Sequence, residues 1–274
     1  MLNTWNLGDF SSHITVDQKN KRLIINGYTQ GIKPSLFSAQ LIDLAIKNRL
    51  EKIWLWALPA DVPEFIQGGF CTEGNIFRGY DKEFSVSIAY YVSRKRAYSD
   101  KLQAENDIIH SIRTEPIRRP PVLPQGMELK LLNESFARQI SQVLKEVFIS
   151  YPTPMDSQYI TSLIQNGNIF AGIFSEEKLI AVSAAYPDLN FNRCEMTDCA
   201  TIEEHRGNSL TESLLFFLEQ EIQKRGSFNI YTLARAQSFG MNKVFHRLGY
   251  RFQGRLINNC HIAGSFEDMN LWVK

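Results

Sequence analysis

The chain has no apolar run approaching the roughly 20 residues that a membrane span needs. Its opening residues, MLNTWNLGDF, lack the cationic start and apolar core of a secretory signal. Cysteine is sparse. Cys71, Cys194, Cys199 and Cys260 stand apart with no C-x-x-C pair, so neither a metal site nor a disulfide framework is expected, and free thiols are the default. Charge of one sign is not in excess either: 30 basic residues face 29 acidic ones, for a net charge of +1. That balance argues against nucleic acid, which calls for clustered cationic surface. The short basic clusters Arg94-Lys95-Arg96 and Arg118-Arg119 read as solvated surface. Neither a Walker loop nor a G-x-G-x-x-G fingerprint is present. The expectation is a soluble, cytoplasmic protein with no metal, no membrane and no nucleic-acid partner. Its oligomeric state, monomer or homodimer, is left open.

What is present is an ordinary globular composition, 44% hydrophobic over 274 residues, enough for one large domain or two modest ones. Proline crowds into RTEPIRRPPVLPQG, at Pro116, Pro120, Pro121 and Pro124. Proline fixes its own φ and biases the residue before it to extended geometry, so this stretch reads as a semi-rigid linker. It divides the chain into residues 1–112, the linker 113–126, and residues 127–274.

Periodicity gives the second part the order β-α-α-β-β-β-α-β-α-β-β, an α/β layered domain. Its long helix carries Leu210, Leu214, Leu215, Leu218 and Ile222 on one face, and Gly226 stops it. The first part contains an echo. Leu41–Ile76 runs helix, apolar strand, short helix, Gly-Phe, strand, much as Leu214–Ile257 does with Gly-Tyr. A weak internal repeat and a chance likeness of two α/β segments both account for this. The run IWLWAL (Ile53–Leu58) reads as core strand rather than a ligand platform.

The stretch EEHRGNSLTESLL (Glu203–Leu215) raises a functional question. It delivers a strand into a helix through Arg206-Gly207. A helix N-terminus presents unpaired N–H groups and positive potential, and glycine permits close approach of a ligand. HRGNS is therefore a candidate pyrophosphate cradle. It is equally an ordinary turn in which Asn208 or Ser209 caps the helix.

The order of elements around this turn, with Glu204-His205-Arg206-Gly207-Asn208-Ser209 and Ser238–Tyr250 as its motifs, resembles the GNAT superfamily of acetyl-CoA-dependent N-acetyltransferases. The likeness covers the whole C-terminal half. The family's first motif reads Q/R-x-x-G-x-G/A; Gly207 is kept, whereas Glu204 and Ser209 depart from it. The resemblance implies a GNAT-type mixed sheet in the C-terminal domain, beside a smaller α/β N-terminal domain that is a candidate degenerate GNAT-like unit, structural or covering the acceptor site. It implies acetyl-CoA as co-substrate and no metal. His205, Arg206, Gly207, Asn208, Ser209 and Leu210 would hold the pyrophosphate. The strand edge Cys199, Ala200 and Thr201 would meet the pantetheine arm, and the helix carrying Asn242 and Phe245 would flank the thiol. Many members carry a tyrosine, as general acid, where this chain has Phe245, which leaves the acid unassigned. His246 beside it reads as a surface or packing residue.

The segment Ala234–Lys274 resembles the C-terminus of β-lysine N-acetyltransferases, which make Nε-acetyl-β-lysine, a compatible solute. An aliphatic ammonium, with a pKa of about 10.4, must lose a proton before attacking a thioester. Glu195 and Asp198 are the candidate bases, Glu195 preferred, though their odd separation puts them on opposite faces of a strand unless a bulge intervenes. Arg235, Asn258, Asn259, His261, Glu267 and Asp268 are candidates to read the carboxylate and second amine of a small zwitterion. Cys199 and Cys260 read as small apolar fillers. Two alternatives stand beside this reading: another acceptor (a protein lysine, a polyamine, an aminoglycoside), or a non-catalytic acyl-CoA-binding module. An Arg206→Ala or Gly207→Glu variant is expected to lose coenzyme A affinity; unchanged binding by calorimetry would remove the cradle from the argument.

Overall fold

A strand as apolar as Lys52–Ala57, every residue of it buried, requires cover on both faces. In the computed structural model, which describes residues 6–7, 10–28, 31–76, 84–117, 122–226 and 228–274, that cover comes from helices and from the neighbouring half of the chain. The N-terminal half supplies β1 (Asn6–Leu7), β2 (Phe10–Asp17), β3 (Arg22–Tyr28), α1 (Pro34–Lys47), β4 (Lys52–Ala57), α2 (Val62–Gln67), β5 (Cys71–Ile76), β6 (Ser85–Tyr91) and α3 (Leu102–Arg113). The C-terminal half supplies β7 (Met127–Leu132), α4 (Ala137–Val147), α5 (Ser157–Gln165), β8 (Ile169–Ser175), β9 (Lys178–Asp188), β10 (Arg193–Thr201), α6 (Leu210–Arg225), β11 (Asn229–Arg235), α7 (Phe239–Arg247), β12 (Arg251–Ile262) and β13 (Ser265–Val273). The order in the C-terminal half is the one read from periodicity. Among the described residues no helix is long and apolar enough to cross a membrane.

The described strands form one mixed sheet in the order β1-β2-β3-β4-β6-β5-β12-β13-β11-β10-β9-β8-β7. Two pairs are parallel, β3 with β4 and β10 with β11; each is connected through one amphipathic helix, α1 or α6. Around each parallel pair the order of strands and their senses is the same, so one topology occurs twice and meets edge to edge at β5 and β12. That junction is a single bridge between Gly74 and Gly254. A Cβ on Gly254 would lie 2.1 Å from the Glu73 carbonyl oxygen, and one on Gly74 would lie 2.9 Å from a Leu271 methyl. Only glycine lets the two backbones approach this closely.

Leu210, Leu214, Leu215, Leu218 and Ile222 of α6 are all buried against the sheet of the C-terminal half. Phe37, Leu41 and Phe65 hold α1 and α2 on the other half. A third apolar cluster joins the halves, with Trp54 and Trp56 packed against Tyr231, Leu256 and Leu271. Helix α3 crosses the same boundary: its Ile109 and Ile112 enter the core of the C-terminal half.

The polar run Ile257–His261 lies within β12, where a register shift between Leu256 and Cys260 leaves the ladder irregular and Asn258 has φ +44°. Its carbonyls are taken up by cations of the N-terminal half. Lys52 Nζ donates to Ile257 O at 2.8 Å, Arg96 Nε to Asn258 O at 2.6 Å, and Arg22 Nη1 to Asn259 O at 3.0 Å. Each cation also has a carboxylate: Glu73, Glu51 and Asp17 respectively. Arg96 is therefore buried, not the solvated surface expected of its cluster; Arg94 and Lys95 are exposed. Arg118-Arg119 lies outside the described residues.

Gly254→Ala is expected to lower stability by about 3 kcal/mol, the upper range for overpacking against atoms that cannot move aside. Urea unfolding checks this; a cost below about 1 kcal/mol would mean that the junction is slack.

Candidate active site

Strands β10 and β11 run parallel but pair only at Arg193↔Asn229, Cys194↔Ile230 and Glu195↔Tyr231. Beyond that point β10 continues to Thr201 beside β9, and β11 to Arg235 beside β13. The facing edges of the two strands thus run on without a ladder between them. On its other side β10 carries a bulge: Thr197 pairs with Ala184 but Ala200 with Val182, one residue extra, and Asp198 adopts φ +52°. The extra residue cancels the odd separation, so Glu195 and Asp198 line the same cavity. The expectation of opposite faces is corrected by the bulge it had allowed for.

That cavity has a volume of about 360 Å³. Strands β10 and β11 form one wall, α7 contributes Met241 and Phe245, and the Tyr151–Thr153 loop closes a side. Arg22, Ile24, Asn26 and Trp54 of the N-terminal half close another.

The two carboxylates differ in surroundings. Asp198 accepts Tyr151 Oη at 2.7 Å and Tyr186 Oη at 2.5 Å, one on each oxygen. Burial raises its pKa, and these two donors oppose that shift. The tyrosine hydroxyls are themselves pushed far up, by burial first and then by Asp198, so they stay protonated. Among the described residues Glu195 has only a long side-chain contact, from Tyr231 Oη at 3.4 Å. Burial, with Asp198 adding, pushes Glu195 up to about 7. One carboxyl is held by donors while the other is poised to exchange a proton near neutrality.

At the end of β10, the turn through 203–209 leaves donors unused. The backbone N–H groups of Gly207, Asn208, Ser209 and Leu210 have no backbone acceptor among the described residues. Gly207 has φ +85°, and a Cβ there would meet nothing within 4 Å, so its glycine serves the turn's conformation. Arg206 Nε is tied to Thr201 O at 3.2 Å, and Asn208 Nδ2 to His205 O at 3.2 Å. Ser209 precedes α6 in the left-handed region, φ +54°, and neither it nor Asn208 makes a side-chain cap bond. The capping role open to them in the sequence is not taken.

Of the residues singled out from the sequence, Cys199, Phe245, Arg235 and Asn259 line the cavity with the two carboxylates. Burial pushes the Cys199 thiol up to about 12, which leaves it a poor nucleophile. Ala200 is buried, and Thr201 Oγ1 meets Thr211 Oγ1 at 3.2 Å. Asn242 is corrected: it is fully buried. Its Nδ2 donates to the Arg235 and Ser238 carbonyls, and its Oδ1 accepts from Asn270 Nδ2 and Trp272 Nε1. It locks α7 to the sheet and has nothing left for a cofactor. Asn258 and His261 are corrected also. The Asn258 side chain holds the Arg96 and Tyr98 carbonyls, and the His261 ring packs edge-on against Phe266. Neither lines the cavity. Glu267 reaches the site only through a bidentate pair with Arg235, at 2.7 and 2.9 Å. Asp268 accepts the Asn258 N–H away from it. His246 packs, with Nε2 2.8 Å from Glu115 O.

Sequence reasoning missed Tyr151, Tyr186, Arg22 and Trp54. Tyr151 opens the loop Tyr151-Pro152-Thr153-Pro154 between α4 and α5, where an aromatic hydroxyl beside two prolines was the available signal. The others lie on regular strands and carry none.

The family model described as the acetyltransferase (GNAT) family matches residues 136–250. N-acetyltransferase YodP of Bacillus subtilis (strain 168) is 34% identical over 261 residues, 94% of this chain and 94% of that protein. A beta-lysine N(6)-acetyltransferase of Methanococcus maripaludis is 31% identical over 212 residues, 77% of each chain. Another, of Methanosarcina mazei, is 35% identical over 153 residues, 56% of each. With a third of its residues shared with an N-acetyltransferase along nearly its whole length, and the family model falling on the half that carries the diverging strands, the chain belongs to the GNAT family of N-acetyltransferases.

Proposed function

We propose that the protein transfers an acetyl group from acetyl-CoA to the ε-amino group of β-lysine, giving Nε-acetyl-β-lysine. The observation that carries this reading is the bulge at Asp198, which turns two carboxylates of unlike environment into one cavity beside an open strand edge. Two relatives that share 31% and 35% identity with the chain are named for β-lysine.

The residues present fit acetyl-CoA. The unused N–H groups of Gly207–Leu210 at the start of α6 suit a pyrophosphate. The edge of β10 from Cys199 to Thr201, without a ladder on the β11 side, offers backbone partners to an extended pantetheine arm. Acetyl-CoA supplies the activated acetyl group as a thioester.

The chain's own groups prepare the amine. An ammonium with a pKa of about 10.4 is mostly protonated at neutral pH and cannot attack. Asp198, whose two tyrosine donors favour its charged form against burial, is placed to attract the entering cation. Glu195 takes the proton from the nitrogen, directly or through water. The apolar walls given by Trp54, Met241 and Phe245 suit the methylene chain of the acceptor. Phe245 has no proton to give, so the acid is not supplied from its position on α7.

Two measurements test this. Thiol release from acetyl-CoA should be rapid and selective with β-lysine in a panel containing α-lysine, ornithine, spermidine and a histone-type peptide. Turnover of a different amine alone would discard β-lysine and keep the chemistry. The second is the pH profile. A base with a pKa of about 7 must be ionised to act, so kcat should fall about tenfold for each pH unit below that value. Glu195→Gln should lower kcat by roughly 1,000-fold and lose this acid limb; a variant that keeps the limb would show that another group is the base.

A further inference from the structure

Arg22 differs from Arg235, the other cation among the described residues that line the cavity. The Arg22 side chain is only 9% exposed. Nε is bound to Asp17 Oδ2 at 2.9 Å and Nη1 to Asn259 O at 3.0 Å. These two bonds fix the plane of the guanidinium, which lies 5.8 Å from the Trp54 ring. Nη2 makes no hydrogen bond among the described residues, and Arg22 lines the cavity. Beside it, the side-chain amide of Asn259 also makes no hydrogen bond; its Oδ1 is buried without a partner, although the residue is 1% exposed. A guanidinium donor open to the cavity beside a buried amide oxygen left unpaired in the same wall is an arrangement that a ligand would complete.

The alternative reader of an anion, Arg235, gives Nε and Nη2 to Glu267. Its Nη1 makes no hydrogen bond among the described residues, but its side chain is 36% exposed against 9% for Arg22, so an ion pair there is more screened by solvent. The acidic pair Glu195 and Asp198 lies on β10 and Arg22 on β3, and all three line the cavity, with Arg22 near enough to Glu195 to favour its charged form. A cavity with carboxylates on one strand and a fixed guanidinium on another orients a chain that is cationic at one end and anionic at the other.

We propose that Arg22, with the Asn259 amide beside it, binds the carboxylate-bearing head of an amino-acid acceptor, so that the N-terminal half of the chain selects amino acids over plain diamines. This rests on the acetyl-transfer reading above and adds a specificity determinant to it. The guanidinium is pre-organised by Asp17 and by the β12 irregularity, so little ordering is needed when the carboxylate arrives.

The test compares β-lysine with the diamine left when its carboxylate is removed. For the wild-type enzyme kcat/KM should favour β-lysine by about 100-fold, the scale of one charge-assisted pair. In Arg22→Gln that preference should collapse to near unity, mainly through a rise in KM for β-lysine. Equal use of the two acceptors by the wild type overturns the proposal, as does an Arg22→Gln variant that slows both substrates alike. Because Arg22 also holds the β12 carbonyl, the variant's unfolding is followed in parallel. If it does not fold, the wild-type ratio decides alone. Wild-type enzyme that acetylates the diamine and β-lysine equally fails this inference and leaves amine acetylation standing; wild-type enzyme that acetylates no amine fails both.

Discussion

Three consecutive carbonyls of β12, those of Ile257, Asn258 and Asn259, are each held by a buried cation from the other half of the chain. An irregular strand segment in a protein interior has backbone acceptors that no ladder satisfies. Lys52, Arg96 and Arg22 supply donors, and Glu73, Glu51 and Asp17 supply the countercharge that buried cations require. Glu73 also accepts the Ile257 N–H at 2.8 Å, so one carboxylate serves the segment and the cation that grips it. Arg193 reaches the other way, from β10 to the Asn26 carbonyl of β3. The two halves are thereby registered by directional bonds as well as by the apolar cluster around Trp54, Trp56 and Tyr231. The cavity lies between the surfaces that these bonds hold, so its walls depend on the clasp.

Two strand irregularities shape that cavity, and each places a non-glycine residue at positive φ: Asp198 at +52° and Asn258 at +44°. Asp and Asn tolerate this region better than most residues, because a short polar side chain can bond locally. At Asp198 the inserted residue changes the face of everything after it and brings a second carboxyl round to Glu195. At Asn258 the insertion turns carbonyls inward toward the cations and sets Asn259 in the cavity wall. The parallel pair β10 and β11 then separates beyond Glu195 and Tyr231, which leaves backbone groups unpaired where regular pairing would have closed the sheet.

The environment divides labour between like groups. Two hydroxyls on Asp198 favour its charged form against burial, whereas Glu195, with one long contact, is raised to about 7. The arginines differ by burial: Arg235 is 36% exposed and held bidentately by Glu267, whereas Arg22 is 9% exposed and shared between Asp17 and the Asn259 carbonyl. Residue type alone would have ranked each pair equal.

Sequence periodicity by itself determined the elements of the C-terminal half, the buried face of α6 and the strand character of Ile53–Ala57, because amphipathic spacing and apolar runs are local properties. The turn at Arg206-Gly207 was legible for the same reason. Tertiary structure alone decided that Glu195 and Asp198 share a cavity, since one inserted residue reverses a face and no local pattern announces it. It also decided that Arg96 is buried, that Asn242 and Asn258 are taken up by structure, and that Arg22 and Trp54 line the site. The places of Arg22, Arg96 and Asn258 depend on contacts between residues more than 100 positions apart, such as Arg22 with Asn259 and Arg96 with Asn258. Their partners are fixed only when the two halves dock.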